Sequence, residues 1–506
     1  MENKVSLRQG DKSITISTQA SEYHGAALEA HKAFVNDSYW LLFCQHLAWD
    51  NHLQFEVDQE LSIPGLHNSK RYTALSVSYP KQGGYTPGDR YVLFLDESHK
   101  PTWLDGVARR IVLSRLQDLR HGQIVLTEGD RRFVFGDSAE AFPLQTHISV
   151  ADLRFYSDIA FGGSIGAGES WIHGHWHCDD LTALTRILLR NRHVLKSMDS
   201  GTAIISRPLQ KLFHWMHRNS RKGSRRNIAA HYDLGNDFYS LWLDDTMMYS
   251  AAYFETDEQT LLDASVAKLD RICRKLDLKP SDHVIEIGSG WGGFAVHAAR
   301  NYGCRVTTTT ISRRQFEFAR ARIQREGLED RITLLFDDYR DLKGSFDKLV
   351  SIEMIEAVGH EFHDEYFRKC AELLKPEGQM LLQAITIEDQ RYDDYKTSVD
   401  FIKRYIFPGG CLTSVTAMAE TLTRETDMRV FHLEDIGSHY ATTLQRWRER
   451  FLDRLTEVRE LGYTDDFIRM WEFYLCYCEG AFRERSIGDV QMLIAKPEAR
   501  PRTMRL

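Results

Sequence analysis

From residue 283 onward, short apolar runs alternate with longer amphipathic ones. The short runs predict strands at "HVIEIG", "RVTTTTI", "ITLLFDD", "KLVSIEM" and "QMLLQAITI". The runs between them predict helices, among them "GFAVHAARNYG", "RRQFEFARARIQREGL" and "DEYFRKCAELLKPEG". Strands alternating with helices of this length predict an α/β fold with a doubly wound, mostly parallel sheet. Ligands on such sheets bind at the carboxyl ends of the strands.

A glycine-rich loop follows the first of these strands, in "VIEIGSGWGG" at residues 284–293. Its glycines stand at positions 288, 290, 292 and 293. Three of them fit the dinucleotide fingerprint G-x-G-x-x-G. Gly292 and the strand residue Glu286 add the pattern E-x-G-x-G-x-G, which favours S-adenosylmethionine. That cofactor carries no phosphate, so the loop need not bind an anion. A nicotinamide or flavin cofactor is the alternative on this motif alone.

The second strand ends without the acidic residue that commonly holds the ribose hydroxyls of a cofactor. It reads "TTTTISRRQ", with hydroxyls and an amide in that region. The ribose contacts would then come from Thr310, Ser312 or Gln315. This departure matches one particular branch of methyltransferases.

Two further units are predicted before the sheet. Residues 1–100 form an N-terminal α+β extension of unassigned role, with strands at "YTALSVSY" and "RYVLFLD" and a helix over residues 26–47. Residues 101–205 form a small α+β domain, with helices at "VARRIVLSRLQDL" and "LTALTRILL" and a hairpin at "GQIVLTEGDRRFVFGD". In "HGHWH" three histidines alternate, which would place them on one face of an extended segment.

Residues 206–226 form a basic amphipathic linker with seven Lys/Arg and no acidic residue. Four apolar residues lie at helical spacing and form one stripe, at Leu209, Leu212, Phe213 and Met216. One interpretation is a solvated interdomain linker that docks its stripe on a neighbour. The other is a surface for anionic lipid headgroups, where each cation contributes about 1 kcal/mol.

Charge and hydropathy argue against several classes of protein. The net charge of −8 gives no global basic field of the kind that nucleic-acid binding requires, so no nucleic-acid partner is predicted. The chain contains no uncharged apolar run of the roughly 18 residues that a membrane-spanning helix needs. The first residues lack the apolar core of a secretory signal, and the eight cysteines are scattered. These features predict a cytoplasmic protein with free thiols.

Residues 227–497 resemble the cyclopropane-fatty-acyl-phospholipid synthase family. The matching segments are "HYDLGNDFYSLWLDDTMMYSAAYF", "KLDRICRKLDLKP", "VIEIGSGWGGFA", "TISRRQ", "DDYRDL", "SIEMIEAVGHE", "DFIKRYIFPGG" and "GDVQMLIAKP". The resemblance implies a class I methyltransferase domain at residues 227–506. Residues 101–205 resemble the small lipid-engaging domain that precedes it in this family, mainly through "GGSIGAGESWIHGHW".

The resemblance implies methyl transfer from S-adenosylmethionine to the cis double bond of an acyl chain in a membrane phospholipid. A carbocation forms and then loses a proton, which closes a cyclopropane ring. The implied base is a bound bicarbonate ion. The implied partner is unsaturated phospholipid at an anionic membrane surface, so the enzyme would associate peripherally with the inner face of the membrane. A homodimer is compatible with the sequence.

The resemblance also implies a set of site residues and no metal ligand. The implied cofactor residues are Tyr249, Ser250, Glu286, Gly288, Gly290, Trp291, Gly292, Thr310, Ser312, Gln315, Asp338 and Tyr339. The implied catalytic residues around the bicarbonate are Glu356, Gln383 and Tyr440 through their side chains, and Ala251 and Ile385 through their backbones. Glu356 would orient the ion by holding its proton.

Two positions depart from the best-known bacterial pattern of the family. Ala251 stands where many members have a cysteine, and Gln383 stands where they have a histidine. If the cysteine position acts mainly through its backbone N–H, alanine is tolerable. These departures leave other outcomes open: a methyl- or methylene-branched chain, a non-catalytic homologue that binds lipid or cofactor, and a methyltransferase for a free small molecule.

Overall fold

A computed structural model describes five strands within residues 1–102, and then residues 103–195 and 234–501. The chain divides into two compact units, Met1–Thr102 and Trp103–Leu506. The predicted helix at residues 26–47 and the basic linker at residues 206–226 lie outside the described residues.

The first unit contains a five-stranded sheet of order β2-β1-β3-β4-β5. Its strands are β1 (Asn3–Gln9), β2 (Lys12–Thr18), β3 (Gln54–Leu61), β4 (Tyr72–Ser78) and β5 (Arg90–Leu95). Neighbouring strands pair antiparallel except β1 and β3, which pair parallel. The strands predicted at "YTALSVSY" and "RYVLFLD" are confirmed as β4 and β5.

The second unit begins with a small α+β domain at residues 103–195. Its sheet has the order β7-β6-β8-β9, built from β6 (Gly122–Glu128), β7 (Arg131–Asp137), β8 (Gln145–Val150) and β9 (Trp176–Cys178). Its helices are α1 (Trp103–Leu116), α2 (Arg154–Ile172) and α3 (Leu181–Arg190). The predicted hairpin and both predicted helices are confirmed. The histidine pattern does not form one strand face, because His173 and His175 lie in the turn before β9.

The main sheet has seven strands in the order β12-β11-β10-β13-β14-β16-β15. They are β10 (His283–Ile287), β11 (Arg305–Thr309), β12 (Ile332–Leu335), β13 (Phe346–Ile352), β14 (Leu374–Ile387), β15 (Arg429–Asp435) and β16 (Ile487–Ala495). Strands β10 to β14 pair parallel, whereas β16 pairs antiparallel with β14 and with β15. The predicted mostly parallel α/β sheet is therefore confirmed.

Helices cover this sheet and extend its core. They are α4 (Asn236–Ser240), α5 (Leu261–Lys275), α6 (Gly293–Tyr302), α7 (Arg313–Arg325), α8 (His363–Leu373), α9 (Tyr392–Thr397), α10 (Val415–Glu425), α11 (Gly437–Asp453), α12 (Leu455–Glu460) and α13 (Asp465–Arg483). A π-helical turn occupies Ile402–Ile406. Among the described helices, none has the length and apolarity needed to span a bilayer.

The boundary between α8 and β14 differs from the prediction. The run "DEYFRKCAELLKPEG" was expected to remain helical to its end, but the helix stops at Leu373 and the strand begins at Leu374. Pro376 explains the difference, because a proline disfavours helical geometry at the residue before it. The antiparallel strands β15 and β16 were not predicted as strands at all.

An aromatic core joins the segment after α4 to helices α11 and α13. Trp242, Trp447 and Trp471 are all fully buried in it, and Phe238 packs edge-on against Trp471 with ring centroids 5.1 Å apart. Rings of this kind bury large areas and favour such edge contacts. This core forms a wall beside the carboxyl ends of the parallel strands.

The small domain docks on α13. The indole N–H of Trp171 donates to the carbonyl of Arg469 at 3.0 Å, and the Arg469 guanidinium lies 4.2 Å from the centre of the Trp171 ring. Arg192 forms two hydrogen bonds with Glu388, of 2.6 and 2.7 Å. The small domain and the domain that contains the main sheet thus share a specific polar interface.

Candidate active site

The glycine loop lies at the carboxyl edge of the main sheet, between β10 and α6. The backbone N–H groups of Gly288 and Ser289 donate to the carbonyl of Thr309 at 3.1 and 2.8 Å, which fixes the loop to the end of β11. Gly288 has φ +97°, and a Cβ added there would lie 2.9 Å from Cγ of Met354. Gly290 has φ +49° and no atom within 4 Å of an added Cβ. Left-handed backbone and close approach both require glycine at this loop.

Glu286 lies within β10 and is buried. One of its carboxylate oxygens accepts a hydrogen bond of 2.6 Å from the hydroxyl of Thr308 on β11. Burial raises the pKa of Glu286 to about 7, against the opposing effects of that hydrogen bond and of the Lys268 ammonium. This contact holds the two strands together directly beneath the glycine loop.

The three residues predicted to bind ribose lie together at the end of β11. The Thr310 hydroxyl donates to Oε1 of Gln315 at 3.0 Å and accepts from the backbone N–H of Ser312 at 3.1 Å. Ser312 is the N-cap of α7, where its hydroxyl accepts from the backbone N–H of Gln315. The sequence therefore places a polar cluster one strand away from the glycine loop.

Asp338 and Tyr339 follow β12, the next strand along the edge. Both carboxylate oxygens of Asp338 accept hydrogen bonds from the buried Arg340 side chain, at 2.8 and 2.9 Å. The Tyr339 hydroxyl is buried and has no hydrogen-bond partner among the described residues. A buried polar group of this kind is costly unless a ligand satisfies it. This unsatisfied hydroxyl and the open space beside Gly290 fit S-adenosylmethionine along this edge.

The other predicted cofactor residues border the same edge. Ser250 accepts a hydrogen bond of 2.8 Å from the ammonium of Lys268, a fully buried lysine on α5. The Tyr249 hydroxyl lies 2.9 Å from that of Tyr474 on α13. The Trp291 indole N–H donates to Asn236 at 2.8 Å.

Glu353, at the end of β13, is the residue on which the predicted ion-binding groups converge. Its Oε1 accepts from the backbone N–H of Ala251 at 2.8 Å and from Nε2 of Gln383 at 2.7 Å. Its Oε2 accepts from the hydroxyl of Tyr440 at 2.8 Å. Three elements remote in sequence thus supply donors to one carboxylate.

The backbone at Glu353 is also unusual. Its φ is +47°, a left-handed conformation in a residue that is not glycine, and its N–H donates to the carbonyl of Gln383 at 2.8 Å. Residues held in this region cost about 1–3 kcal/mol each and cluster at functional sites. The conformation directs the Glu353 carboxylate toward the three donors.

Glu356 lies one turn further along the chain. Its Oε1 accepts from the backbone N–H of Ile385 at 2.5 Å, whereas its Oε2 is buried without a partner among the described residues. Burial and the nearby Glu353 carboxylate raise the pKa of Glu356 to about 8. Glu356 is therefore mostly a neutral acid at pH 7 and can donate a hydrogen bond.

A third carboxyl and one ammonium complete the cluster. Asp489 on β16 accepts a hydrogen bond of 2.9 Å from Nε2 of Gln383. Burial and the carboxylates of Glu353 and Glu356 raise the pKa of Asp489 well above its usual value. The Lys268 ammonium is the opposing charge, and burial lowers its pKa to about 8.

The residues do not fit a free bicarbonate ion as they are arranged. Three groups expected to hold the ion, the Ala251 N–H and the side chains of Gln383 and Tyr440, all donate to Glu353 instead. The Ile385 N–H donates to Glu356. An internal carboxylate therefore takes the hydrogen bonds that the resemblance assigned to the ion.

Aromatic rings surround this cluster on the side of the core. The Tyr249 ring lies 5.3 Å from that of Trp447 and 6.3 Å from that of Phe407, and the Tyr440 ring lies 6.0 Å from Trp447. Tyr249 and Phe407 retain part of their accessible surface, as Glu353 and Glu356 do. Such ring faces stabilise a neighbouring cation. The hydroxyl of Tyr405, in the π-helical turn, donates a hydrogen bond to Glu169 of the small domain.

Sequence reasoning missed Glu353, Lys268 and Asp489. Glu353 carries a detectable signal, since it follows the apolar strand "KLVSI" at a carboxyl end where ligands bind. Lys268 lies four residues from both Ala264 and Ile272, on the buried face of α5. A lysine at an apolar helical position is a candidate for a buried charge. Asp489 sits in a mainly apolar strand and offers the same kind of signal.

Comparison with known proteins shows the family of the chain. The model of the family described as mycolic acid cyclopropane synthetase matches residues 219–492, which is more than half of the chain. The chain belongs to this family. The cyclopropane-fatty-acyl-phospholipid synthase of Escherichia coli K12 is 40% identical over 352 residues, covering 69% of this chain and 87% of the relative. The resemblance to this family is thus confirmed.

Two more relatives bear on the chemistry. Tuberculostearic acid methyltransferase UfaA1 of Mycobacterium tuberculosis is 37% identical over 343 residues, covering 66% of this chain and 79% of the relative. The solved mycolic acid cyclopropane synthase CmaA1, complexed with SAH and CTAB, is 30% identical with a TM-score of 0.51. It covers 54% of this chain and 98% of its own. The chain described here, as a member of this family, is an S-adenosylmethionine-dependent methyltransferase.

Proposed function

We propose that the protein transfers a methyl group from S-adenosylmethionine to the cis double bond of an unsaturated acyl chain in a membrane phospholipid, giving a cyclopropane ring. The observation that carries this proposal is the placement of a buried carboxylate cluster against an aromatic wall, next to the cofactor edge of the sheet. An alkene needs apolar surroundings, and a carbocation needs π faces and a base. Glu353, Tyr249 and Phe407 supply that combination.

S-adenosylmethionine supplies an electrophilic methyl group on a sulfonium. The glycine loop admits it without side-chain obstruction at Gly290, and the Tyr339 hydroxyl offers it an unsatisfied hydrogen-bonding group. Transfer forms a carbon–carbon bond, breaks the carbon–sulfur bond and leaves the positive charge on the chain. Tyr249, at the aromatic wall, is placed to stabilise that charge through its ring.

Loss of a proton from the added methyl group then closes the ring, with the two electrons of its C–H bond forming the last carbon–carbon bond. A base must therefore reach the added carbon. The resemblance implies bicarbonate for this role, but the donors expected to bind it are already engaged by Glu353. The deprotonation step is therefore assigned among this chain's own residues in the next subsection.

A branched product is the second candidate. In the same carbocation, a 1,2-hydride shift moves the positive charge onto the carbon that carries the added methyl group. Loss of a proton from that methyl group then gives a methylene branch, and a saturated methyl branch additionally needs a hydride donor. Two observations support a branched product as the second candidate: the relative named tuberculostearic acid methyltransferase, and Gln383 at the position where many members have histidine. Both candidates share the same methyl-transfer step.

The test uses purified protein, S-adenosylmethionine and vesicles of mono-unsaturated phospholipid. The expected product gains the mass of one CH₂ unit per modified acyl chain and shows ring hydrogens at high field in the proton NMR spectrum. Olefinic hydrogens of a methylene branch would identify the second candidate. No acyl product, with S-adenosylmethionine still bound, would contradict both.

Membrane association is part of the proposal and rests on the basic linker. Arg221, Lys222, Arg225 and Arg226 follow an apolar stripe in the sequence, and anionic headgroups attract such clusters. Replacing these four cations with glutamine should reduce sedimentation with anionic vesicles more than with neutral ones. A variant protein that sediments like wild type would instead favour a solvated linker or a free small-molecule substrate.

A further inference from the structure

The donors around Glu353 stabilise its charged form. They come from three separate elements: the chain before α5 through Ala251, β14 through Gln383 and α11 through Tyr440. Neither of the other two carboxyls of the cluster is held by as many donors: Ile385 donates to Glu356, and Gln383 donates to Asp489. Hydrogen bonds to a charged acceptor favour ionisation. Burial raises the pKa of Glu353, and the Lys268 ammonium and these three donors oppose that rise. Asp489 lacks a comparable set of donors and its pKa is raised well above its usual value, so the negative charge of the cluster rests mainly on Glu353.

The charged groups that face Glu353 agree with this placement. Lys268 on α5 supplies the positive charge, while Glu356 and Asp489 are the competing carboxyls. The phenol groups of Tyr440 on α11 and Tyr474 on α13 are both kept neutral, because burial raises the pKa of each well above its usual value. One ammonium thus faces three carboxyls, and a single carboxylate balances it.

The backbone of Glu353 is an independent observation. A φ of +47° favours glycine, and the chain nevertheless carries a glutamate there. The side chain at this position accepts three hydrogen bonds within the polar cluster. A strained position that presents a charged side chain points to a requirement for that side chain in the reaction.

We infer that the Glu353 carboxylate is the proton acceptor of the reaction, so that the enzyme works without dissolved bicarbonate. This inference rests on the proposed methyl transfer to an acyl double bond. The proton leaves the added methyl group and binds Glu353, while the C–H electrons close the ring. The positive charge that entered with the sulfonium is thereby neutralised by the carboxylate, which becomes a neutral acid. Tyr440, which donates a hydrogen bond to Glu353, and Asp489 lie beside it.

The first experiment measures turnover of wild-type protein in buffer freed of carbon dioxide, with and without added bicarbonate. The expected result is the same turnover in both. A wild-type turnover that collapses without bicarbonate and returns with it would overturn the inference while leaving the proposed function intact.

Two variants distinguish loss of the proton acceptor from loss of the donors that surround it. Glu353→Gln keeps the size of the side chain but cannot accept the proton, so turnover should fall about 100-fold or more, with binding of S-adenosylhomocysteine retained. Glu353→Gly suits the left-handed backbone and exposes the donors of Ala251, Gln383 and Tyr440. It should be inactive in carbon dioxide-free buffer and regain activity with bicarbonate or formate. Wild-type turnover in Glu353→Gln would overturn the inference.

Asp277→Gly is the matched control for the effect of placing glycine at a left-handed backbone position. Asp277 also has a positive φ, +50°, but it lies beyond the end of α5, where its carboxylate pairs with Lys279. It should leave turnover and its independence from bicarbonate unchanged. This comparison separates the chemical role of Glu353 from any general effect of relaxing a strained residue.

A binding measurement keeps the inference testable if no lipid is turned over. Isotope-labelled bicarbonate, followed by carbon NMR, should bind Glu353→Gly and not wild type. Failure of the proposed function would leave this difference in place. Bicarbonate that binds wild type, and binds more weakly to Tyr440→Phe and Gln383→Ala, would overturn the inference directly.

Discussion

The backbone nitrogen of Ala251 lies 2.8 Å from Oε1 of Glu353 and donates a hydrogen bond to it. The side chain of residue 251 takes no part in this bond. An alanine where many family members have cysteine is therefore compatible with an intact site, because the contact needs only the backbone N–H. This relationship also ties the segment that carries Tyr249 and Ser250 to the end of β13.

Ala251→Gly should retain turnover, because it keeps that N–H. It should lower the free energy of unfolding by about 0.5–1 kcal/mol through added backbone freedom. Ala251→Pro removes the N–H and should abolish turnover. Kinetics together with binding of S-adenosylhomocysteine check both variants. An inactive glycine variant that still binds the cofactor product would show that the methyl group itself matters.

Tyr440→Phe removes one donor from the Glu353 carboxylate. A hydrogen bond to a charged group contributes about 1.5–3 kcal/mol, so turnover near neutral pH should fall at least about tenfold. Losing a donor to the charged form raises the pKa of Glu353. The acid limb of the kcat profile should therefore move to higher pH. Tyr302→Phe is the control, since its hydroxyl donates to Asp270 away from the site; an unshifted profile in Tyr440→Phe would contradict the account.

Lys268→Met removes the buried positive charge of the cluster. The remaining carboxylates then lack their counter-ion, and breaking such a buried pair costs about 3–5 kcal/mol. We expect lower stability in urea unfolding and a higher pKa for Glu353, hence weaker activity at neutral pH. Lys348→Met is the control, since Lys348 is a half-buried lysine of β13 that donates to Gln379 instead. Equal losses in the two variants would argue against a specific role for Lys268.

Glu356→Gln should change how stability depends on pH. The folded state holds the Glu356 proton up to about pH 8, whereas the unfolded chain releases it near 4.5. The folded state therefore binds more protons between these values, and its stability falls as pH rises through this window. Each pKa unit corresponds to about 1.4 kcal/mol. Urea unfolding at pH 5 and pH 8 should show a smaller fall in the variant.

The control for that prediction is Glu420→Gln, at an exposed position of α10. It should follow the wild-type dependence of unfolding free energy on pH. A Glu356→Gln variant that also follows wild type would show that Glu356 ionises in the folded protein as readily as in the unfolded chain.

Much of the sheet could be predicted because its determinants are local. The β-branched strands, the helices between them and the glycine loop all carry signals within a few residues. The antiparallel edge strands β15 and β16 were missed since β15 exposes much of its surface and β16 follows a long helical region. The end of α8 was predicted too late in the chain, because Pro376 disfavours helical geometry at Lys375 before it.

The site itself was only half predictable. Family likeness pointed to Ala251, Gln383 and Tyr440, but not to the group they bind. That group depends on strand register, because Ile352 pairs with Gln383 and so places Glu353 beside it. It also depends on the left-handed φ of Glu353, which no local pattern in "SIEMIE" reveals. Lys268 was missed because its burial depends on how α5 packs against the sheet.

Lipid mass spectrometry on a strain that expresses the protein tests the central claim most directly. With wild type, unsaturated acyl chains of the phospholipids should lose intensity while species heavier by one CH₂ unit appear. With Glu353→Gln at equal expression, those species should be nearly absent. Unchanged acyl chains with wild type, or equal product with both proteins, would contradict the account.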